Sequence, residues 1–75
     1  MSLTIKCFAT LSPFQPEDNE NYPFAEGDTV TTVMEQLGLP QEEVHIIFIN
    51  GRHVGRDTQV SDGDRLGFFP AVGGG

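Results

Sequence analysis

The stretch that decides the fold is DGDRLGFFPAVGGG, residues 62–75, at the end of the chain. Its Asp62-Gly63-Asp64 segment predicts a tight turn, because glycine adopts positive φ angles without steric cost. The apolar run 66–69 predicts a last β-strand, and pairing should end at Pro70, which has no backbone N–H to donate. The pattern therefore divides the chain into a folded domain, 1–69, and a thin glycine-rich tail, 70–75.

The residues alone leave two interpretations of this tail. It is an ordinary loose terminus, as the ends of many domains are. Alternatively, the tail enters the active site of another protein and presents the terminal carboxylate of Gly75 as the reacting group. Gly73 and Gly74 suit this second role, because they have no side chain to block a narrow channel.

Composition and charge limit the classes of function. The chain has 75 residues, which is enough for one small domain, and a net charge of −7. This charge argues against nucleic acid and anionic membranes and favours a partner protein with a basic surface. The lone Cys7 can form neither an internal disulfide nor a metal cluster, so no bound metal is expected. The sequence has no long apolar run and no signal peptide, so we expect a cytoplasmic location.

The first third of the chain predicts two strands joined by a long loop. Alternating apolar residues predict a half-buried strand over 3–9, with Cys7 on the buried face and Phe8 on the opposite face. Residues 11–21 contain two prolines and several acids without a period, which predicts a loop. A short edge strand over 22–25 is expected to pair with the first strand.

The middle of the chain predicts one helix and a hairpin. Thr29 is a suitable N-cap, Gly38 a C-cap, and Pro40 prevents continuation. The apolar stripe of this helix is formed by Val30, Val33, Met34 and Leu37. The β-branched run 44–50 predicts a strong strand, and Asn50-Gly51 predicts a tight hairpin with a short return over 52–54. The two histidines, His45 and His53, are predicted to be surface residues, since neither has a ligand or triad partner at a suitable spacing.

This order of elements predicts an α+β β-grasp fold, in which a mixed sheet of four to five strands packs on one helix. The first and last strands should be central, parallel neighbours. Period-2 alternation then directs Phe8, Ile47 and Phe69 to the face opposite the helix, where they should form an apolar docking patch beside the tail. The residues expected beneath the helix are Leu3, Ile5, Val33, Met34, Leu37, Ile46, Leu66 and Phe68.

The chain resembles the small sulfur carriers of the MoaD/ThiS group, which are ubiquitin-like β-grasp proteins. The resemblance rests on Asp62-Gly63-Asp64, on Phe68-Phe69-Pro70 and on the terminal Gly74-Gly75. Ile49-Asn50-Gly51 and the helix entry Gly27-Asp28-Thr29-Val30 support it. The Phe-Phe-Pro variant is closer to the small subunit of molybdopterin synthase than to the thiamine carrier.

The resemblance implies a sulfur carrier that has no catalytic groups and no stably bound cofactor of its own. An E1-like adenylyltransferase would use ATP to adenylate Gly75, and a sulfur donor protein would then convert the carboxylate to a thiocarboxylate. The large subunit of molybdopterin synthase would receive the sulfur for molybdenum or tungsten cofactor assembly. The residues expected to bind these partners are Phe8, Ile47, Phe69, Pro70 and Val72.

Three alternatives share the same sequence features. The chain could act as a ubiquitin-like modifier joined to lysines of target proteins through Gly75, because its activation begins with the same adenylate. It could be a sulfur carrier for thiamine or another pathway. It could also be a β-grasp interaction domain in which the terminal glycines have no chemical role.

Overall fold

The computed structural model describes residues 1–71, in which one α-helix packs on a five-stranded sheet. The elements are β1 (Ser2–Cys7), a 3₁₀ helix (Ala9–Phe14), β2 (Tyr22–Pro23), α1 (Val30–Leu37), a second 3₁₀ helix (Gln41–Glu43), β3 (Val44–Ile49), β4 (Arg52–His53) and β5 (Arg65–Pro70). The strand order is β2-β1-β5-β3-β4, and β1 runs parallel to β5. The predicted β-grasp fold, with the first and last strands as central parallel neighbours, is confirmed. Among residues 1–71, no helix is long and apolar enough to cross a membrane.

The tight turn before β5 places the last strand beside the first. The backbone N–H of Gly63 donates to the carbonyl oxygen of Ser2 at 2.8 Å, and Asp62 Oδ1 accepts from the backbone N–H of Ser2 at 2.9 Å. These two bonds join the start of β1 to the start of β5. The parallel register that follows pairs Cys7 with Phe68 near the ends of both strands.

Helix α1 begins and ends where its capping residues predict. The Thr29 hydroxyl accepts a hydrogen bond from the backbone N–H of Thr32, which satisfies one of the free donors of the first turn. Gly38 ends the helix in the left-handed conformation, with a φ of 74° that a residue with a Cβ adopts only at a steric cost.

The core lies between α1 and one face of the sheet. Its buried residues are Leu3, Ile5, Cys7, Leu11, Val30, Val33, Met34, Leu39, Val44, Ile47, Ile49, Val60, Leu66 and Phe68. Leu37, at the end of the helix, is half-buried and packs against this core as predicted. The placement of Ile46 in the core is wrong, because Ile46 pairs with Phe69 on the face away from the helix.

The predicted loop over 11–21 is partly wrong, because its first residues belong to the 3₁₀ helix Ala9–Phe14. Leu11 in this helix is fully buried and closes one end of the core. The rest of the segment covers the edge of β1 that the two-residue strand β2 leaves open. The backbone N–H of Ile5 donates to the carbonyl oxygen of Asn19 at 2.6 Å, and that of Cys7 to Gln15 Oε1 at 3.0 Å. An edge covered in this way cannot pair with another chain.

The hairpin between β3 and β4 is tied to the first residue of β5. Asn50 and Gly51 have φ angles of 52° and 82°, as the tight hairpin predicted from these two residues requires. The Asn50 side chain donates to Asp64 Oδ1 at 2.9 Å and accepts from the backbone N–H of Arg65 at 3.0 Å. The turn therefore holds the start of β5 in place.

Candidate functional site

Two phenylalanines stack on the sheet face that α1 leaves uncovered, which we call the outer face. The rings of Phe8 and Phe69 lie parallel, with centroids 4.3 Å apart and planes within 5°. They meet because Phe8 directly follows β1 and its backbone N–H donates to the carbonyl oxygen of Phe68 on β5 at 3.0 Å. The prediction that Phe8 and Phe69 lie together on this face is confirmed.

Phe48 is the third aromatic residue of the outer face. The prediction that Ile47 belongs to the apolar patch on this face is wrong. Ile47 is 4% exposed and pairs with Phe68 on the helix side, so it belongs to the core. The ring of Phe48 instead meets Phe69 edge-on at 5.6 Å and 87°. We call Phe8, Phe48 and Phe69 the aromatic cluster.

The error arises because the register of β3 against β5 shifts between Val44 and Ile46. Val44 points into the core, but after the shift Ile47 and Ile49 do so as well, so simple alternation from Val44 gives the wrong phase. The hairpin does not resolve this phase, because the turn at 50–51 pairs the exposed His53 with Phe48 and the equally exposed Arg52 with the buried Ile49.

Pro70 ends the last strand next to the aromatic cluster. It is half-buried, pairs with Val44, and is followed by the exposed Ala71. Strand β5 therefore includes Pro70 and ends one residue after Phe69. The other predicted site residues, Val72, Gly73, Gly74 and Gly75, lie outside the described residues.

A depression of about 360 Å³ lies on the outer face beside the aromatic cluster. Its floor is Gly67, the β5 residue between Arg65 and Phe69, which pairs with Lys6 on one side and Phe48 on the other. The residues around it are Lys6, Phe8, Phe48, Gly51, Arg65, Leu66 and Phe69. The depression therefore combines aromatic walls with two cationic side chains.

The cations of the chain have different roles. Lys6 and Arg65 are exposed at the depression, whereas Arg56 donates through Nη2 to the carbonyl oxygens of Gln41 and Val44 at 2.9 and 2.6 Å. Arg56 thus holds the second 3₁₀ helix against the start of β3. Sequence reasoning did not separate these roles, because they depend on which strands are neighbours.

Cys7 is a core residue, as the alternation of β1 predicted. It is 5% exposed, and burial raises the pKa of its thiol to about 11. The thiolate, which is the nucleophilic form, is therefore scarce at neutral pH. His45 and His53 are both exposed, as expected. Within residues 1–71, no three histidine, cysteine, aspartate or glutamate side chains come close enough to hold a metal ion.

The raised pKa of Cys7 predicts a loss of stability at high pH. The folded state holds the thiol protonated, so this contribution is complete below pH 9.0, the ordinary value, and is lost as pH rises towards about 11. A difference of two pH units corresponds to about 2–3 kcal/mol of unfolding free energy. Urea unfolding at pH 8 to 11 measures it. Tyr22 also contributes to the pH dependence, because burial and the charge of Asp28 raise its pKa. Cys7→Ala is therefore the control, since it removes the thiol and keeps Tyr22. Equal pH slopes for both proteins would contradict the prediction.

Comparison with known proteins identifies the family. The ThiS family model matches residues 5–75, so the chain belongs to the ThiS family, whose members are small sulfur carriers. None of the curated protein sequences matches the chain.

Three solved structures are similar to it. A protein described as a putative molybdopterin converting factor, subunit 1, from Pyrococcus furiosus is 28% identical, with a TM-score of 0.70 over 93% of this chain and 97% of its own. A thiamine biosynthesis protein from Geobacter metallireducens is 29% identical, with a TM-score of 0.59 over 100% of this chain and 88% of its own. SAMP1 from Haloferax volcanii has a TM-score of 0.76 over the whole of both chains at 21% identity, which shows the fold alone.

Proposed function

We propose that this sulfur carrier acts in molybdopterin biosynthesis through a thiocarboxylate formed at Gly75. The family match runs through the last residue of the chain, and this observation carries the proposal. The glycine-rich end is thus part of what the chain has in common with its family. Gly73 and Gly74 pass through a narrow channel of the partner, since only glycine leaves the backbone free of side chains there.

The chemistry requires activation by another protein. A carboxylate is a poor electrophile, so an E1-like adenylyltransferase joins it to the AMP portion of ATP and releases pyrophosphate. The outer sulfur of a persulfide on a donor protein then attacks the Gly75 carbonyl carbon, and AMP leaves, which gives an acyl disulfide. A second thiol attacks the donor-side sulfur of this S–S bond and forms a disulfide with the donor, which releases the Gly75 thiocarboxylate. The resulting thiocarboxylate is the form that gives up sulfur in the active site of the large synthase subunit.

The outer face supplies the docking surface in this proposal. Phe8, Phe48 and Phe69 form a continuous aromatic surface, and Pro70 directs the chain away from its edge. Phe8 is 39% exposed, which is high for a large apolar side chain. Burial of this surface, together with Val72 beyond it, would hold the partner while the tail enters its active site.

Two observations favour molybdopterin over thiamine as the pathway. The Phe68-Phe69-Pro70 segment resembles the molybdopterin synthase small subunit. The molybdopterin-related structure also has a TM-score of 0.70, against 0.59 for the thiamine-related one. The thiamine pathway is the second candidate, because the thiamine-related chain is similarly identical at 29%.

Intact-mass spectrometry tests the proposal. The chain is incubated with ATP, a sulfur donor and the E1-like enzyme of its own organism, and each reactant is omitted in turn. We expect a mass gain equal to replacement of one oxygen by sulfur, and transfer of that sulfur to the molybdopterin precursor when the large synthase subunit is added. Transfer only with the thiazole-forming enzyme of thiamine synthesis would assign the second candidate. A gain of a whole target protein on the C terminus would indicate a protein modifier.

Phe8→Ser is expected to weaken binding to the activating enzyme about tenfold. The substitution removes an exposed aromatic anchor and leaves Phe69 without its stacking partner, and losses above 1 kcal/mol are typical of such anchors. Isothermal titration calorimetry measures the affinity, and thermal unfolding should show only a modest loss. Glu35→Ala on the exposed side of α1 is the matched control and should bind normally. Unchanged affinity of Phe8→Ser would place docking on another surface.

A further inference from the structure

Gly67 leaves a gap in the row of outward side chains on β5, and its backbone is buried because the rings of Phe8 and Phe69 lie over it. Along β5 the outward positions are Arg65, Gly67 and Phe69, so the glycine interrupts an otherwise filled row. A Cβ at Gly67 would lie 3.4 Å from Phe69 Cε1 and 3.5 Å from Phe8 Cε2. These are ordinary contact distances, so the fold does not require glycine here. Gly67 is one of the residues that line the depression of about 360 Å³.

The two sides of the depression differ in chemistry. On one side are the rings of Phe8, Phe48 and Phe69, which meet at centroid distances of 4.3 and 5.6 Å. On the other side are Lys6, in register with Gly67, and Arg65, two residues earlier on β5. An apolar group placed over Gly67 would contact the rings, and an anionic group attached to it would reach the cations.

The local charge of this site is opposite to that of the whole chain. The net charge is −7, and only four lysine or arginine residues oppose eleven acids, yet two of the four stand at one depression. Charges act over a Debye length of roughly 8 Å at physiological salt, so groups in contact respond to Lys6 and Arg65, and to Glu20, which lines a neighbouring depression with both cations, more than to the distant acids. Two cations against this one acid leave the local charge positive. The expectation of a basic partner, drawn from net charge, therefore does not apply to this contact.

We propose that the depression receives an apolar side chain of the activating enzyme, flanked by carboxylates that pair with Lys6 and Arg65. This proposal rests on the proposed function and names the chemistry of its partner surface. Gly67 determines which side chain fits, and the two cations select acidic neighbours. The aromatic cluster contributes burial, and the cations contribute orientation and discrimination against basic surfaces.

The sign of a charge effect tests the cations. Lys6→Glu and Arg65→Glu both make the chain more acidic, and each should weaken binding to the activating enzyme at least about tenfold. Arg52→Glu is the matched control. It changes the charge equally, but Arg52 pairs with Ile49 on the helix side of the sheet, so its affinity should be unchanged. Unchanged or stronger binding of the Lys6 and Arg65 variants would overturn the proposal, because stronger binding would indicate a basic partner surface.

Two variants of Gly67 test the depression itself. Gly67→Leu fills it and should weaken binding at least about tenfold, and Gly67→Ala should weaken it severalfold, with a Cβ at ordinary contact distance. Circular dichroism confirms folding, and the alanine variant keeps the test decisive if the leucine variant unfolds. Normal binding of a folded variant would overturn the proposal. Adenylation of the unaltered chain is measured in parallel, and its failure would overturn the proposed function. If all variants are adenylated and bind the activating enzyme with the affinity of the unaltered chain, only this inference is overturned.

Discussion

Deletion of Gly75 is expected to abolish adenylation and thiocarboxylate formation while leaving the melting temperature of the chain unchanged. The reacting group in the proposed function is the terminal carboxylate, and deletion shortens the reach of the chain by one residue, at most about 3.3–3.6 Å. A displacement of about 1 Å can already cost roughly a hundredfold in rate. The described fold ends its last strand at Pro70, five residues before Gly75, so stability should not depend on the deletion.

Two further variants separate tail length from tail width. Adding one residue after Gly75 should also abolish activation, because the carboxylate then lies beyond the reacting position. Gly74→Val keeps the length but adds a β-branched side chain, so under the proposed function it should block entry of the tail into the active site of the partner. Pyrophosphate release and intact mass measure all three. The deletion variant should still bind the activating enzyme through the outer face, and a deletion variant that forms an adenylate would rule out Gly75 as the reacting group.

Phe68→Ala is expected to destabilise the fold by about 3–5 kcal/mol. Phe68 is fully buried on the central strand β5, where it pairs with Cys7 on one side and Ile47 on the other. A chain of this length has a total stability of about 4–11 kcal/mol, at roughly 0.05–0.15 kcal/mol per residue. The loss is therefore at least about a quarter of this stability, and at the lower end of the range it leaves the variant largely unfolded at room temperature.

Urea unfolding followed by circular dichroism measures this loss. Leu37→Ala is a graded comparison: Leu37 is only half-buried, so its truncation should cost less than that of the fully buried Met34. Glu35→Ala on the exposed side of the helix should change stability by less than about 0.5 kcal/mol. A loss below about 1 kcal/mol for Phe68→Ala would mean that the core between α1 and β5 is packed differently from the structure described above.

The elements that the sequence predicted correctly are those determined by local chemistry. Thr29 and Gly38 set the ends of α1, and Asn50-Gly51 sets the hairpin, because capping and positive φ angles depend on neighbours within a few residues. The β-grasp order follows from these elements, since a helix between two strand pairs permits the first and last strands to lie parallel. Phe8 and Phe69 could be placed together because each lies near the end of one of these two parallel strands. The role proposed for Gly75 comes from the family resemblance, and Gly75 itself lies outside the described residues.

Only the tertiary structure decided which face of β3 is buried and what the outer face can bind. Because the run 44–49 has apolar residues on both faces, its pattern does not indicate which face is buried. The register shift after Val44 directs Ile47 inward and Phe48 outward. The depression at Gly67 needs three neighbouring strands, β1, β5 and β3, whose residues are distant in sequence. Lys6 and Arg65 meet for the same reason. Contacts between distant residues depend on strand order and register, which no local pattern encodes.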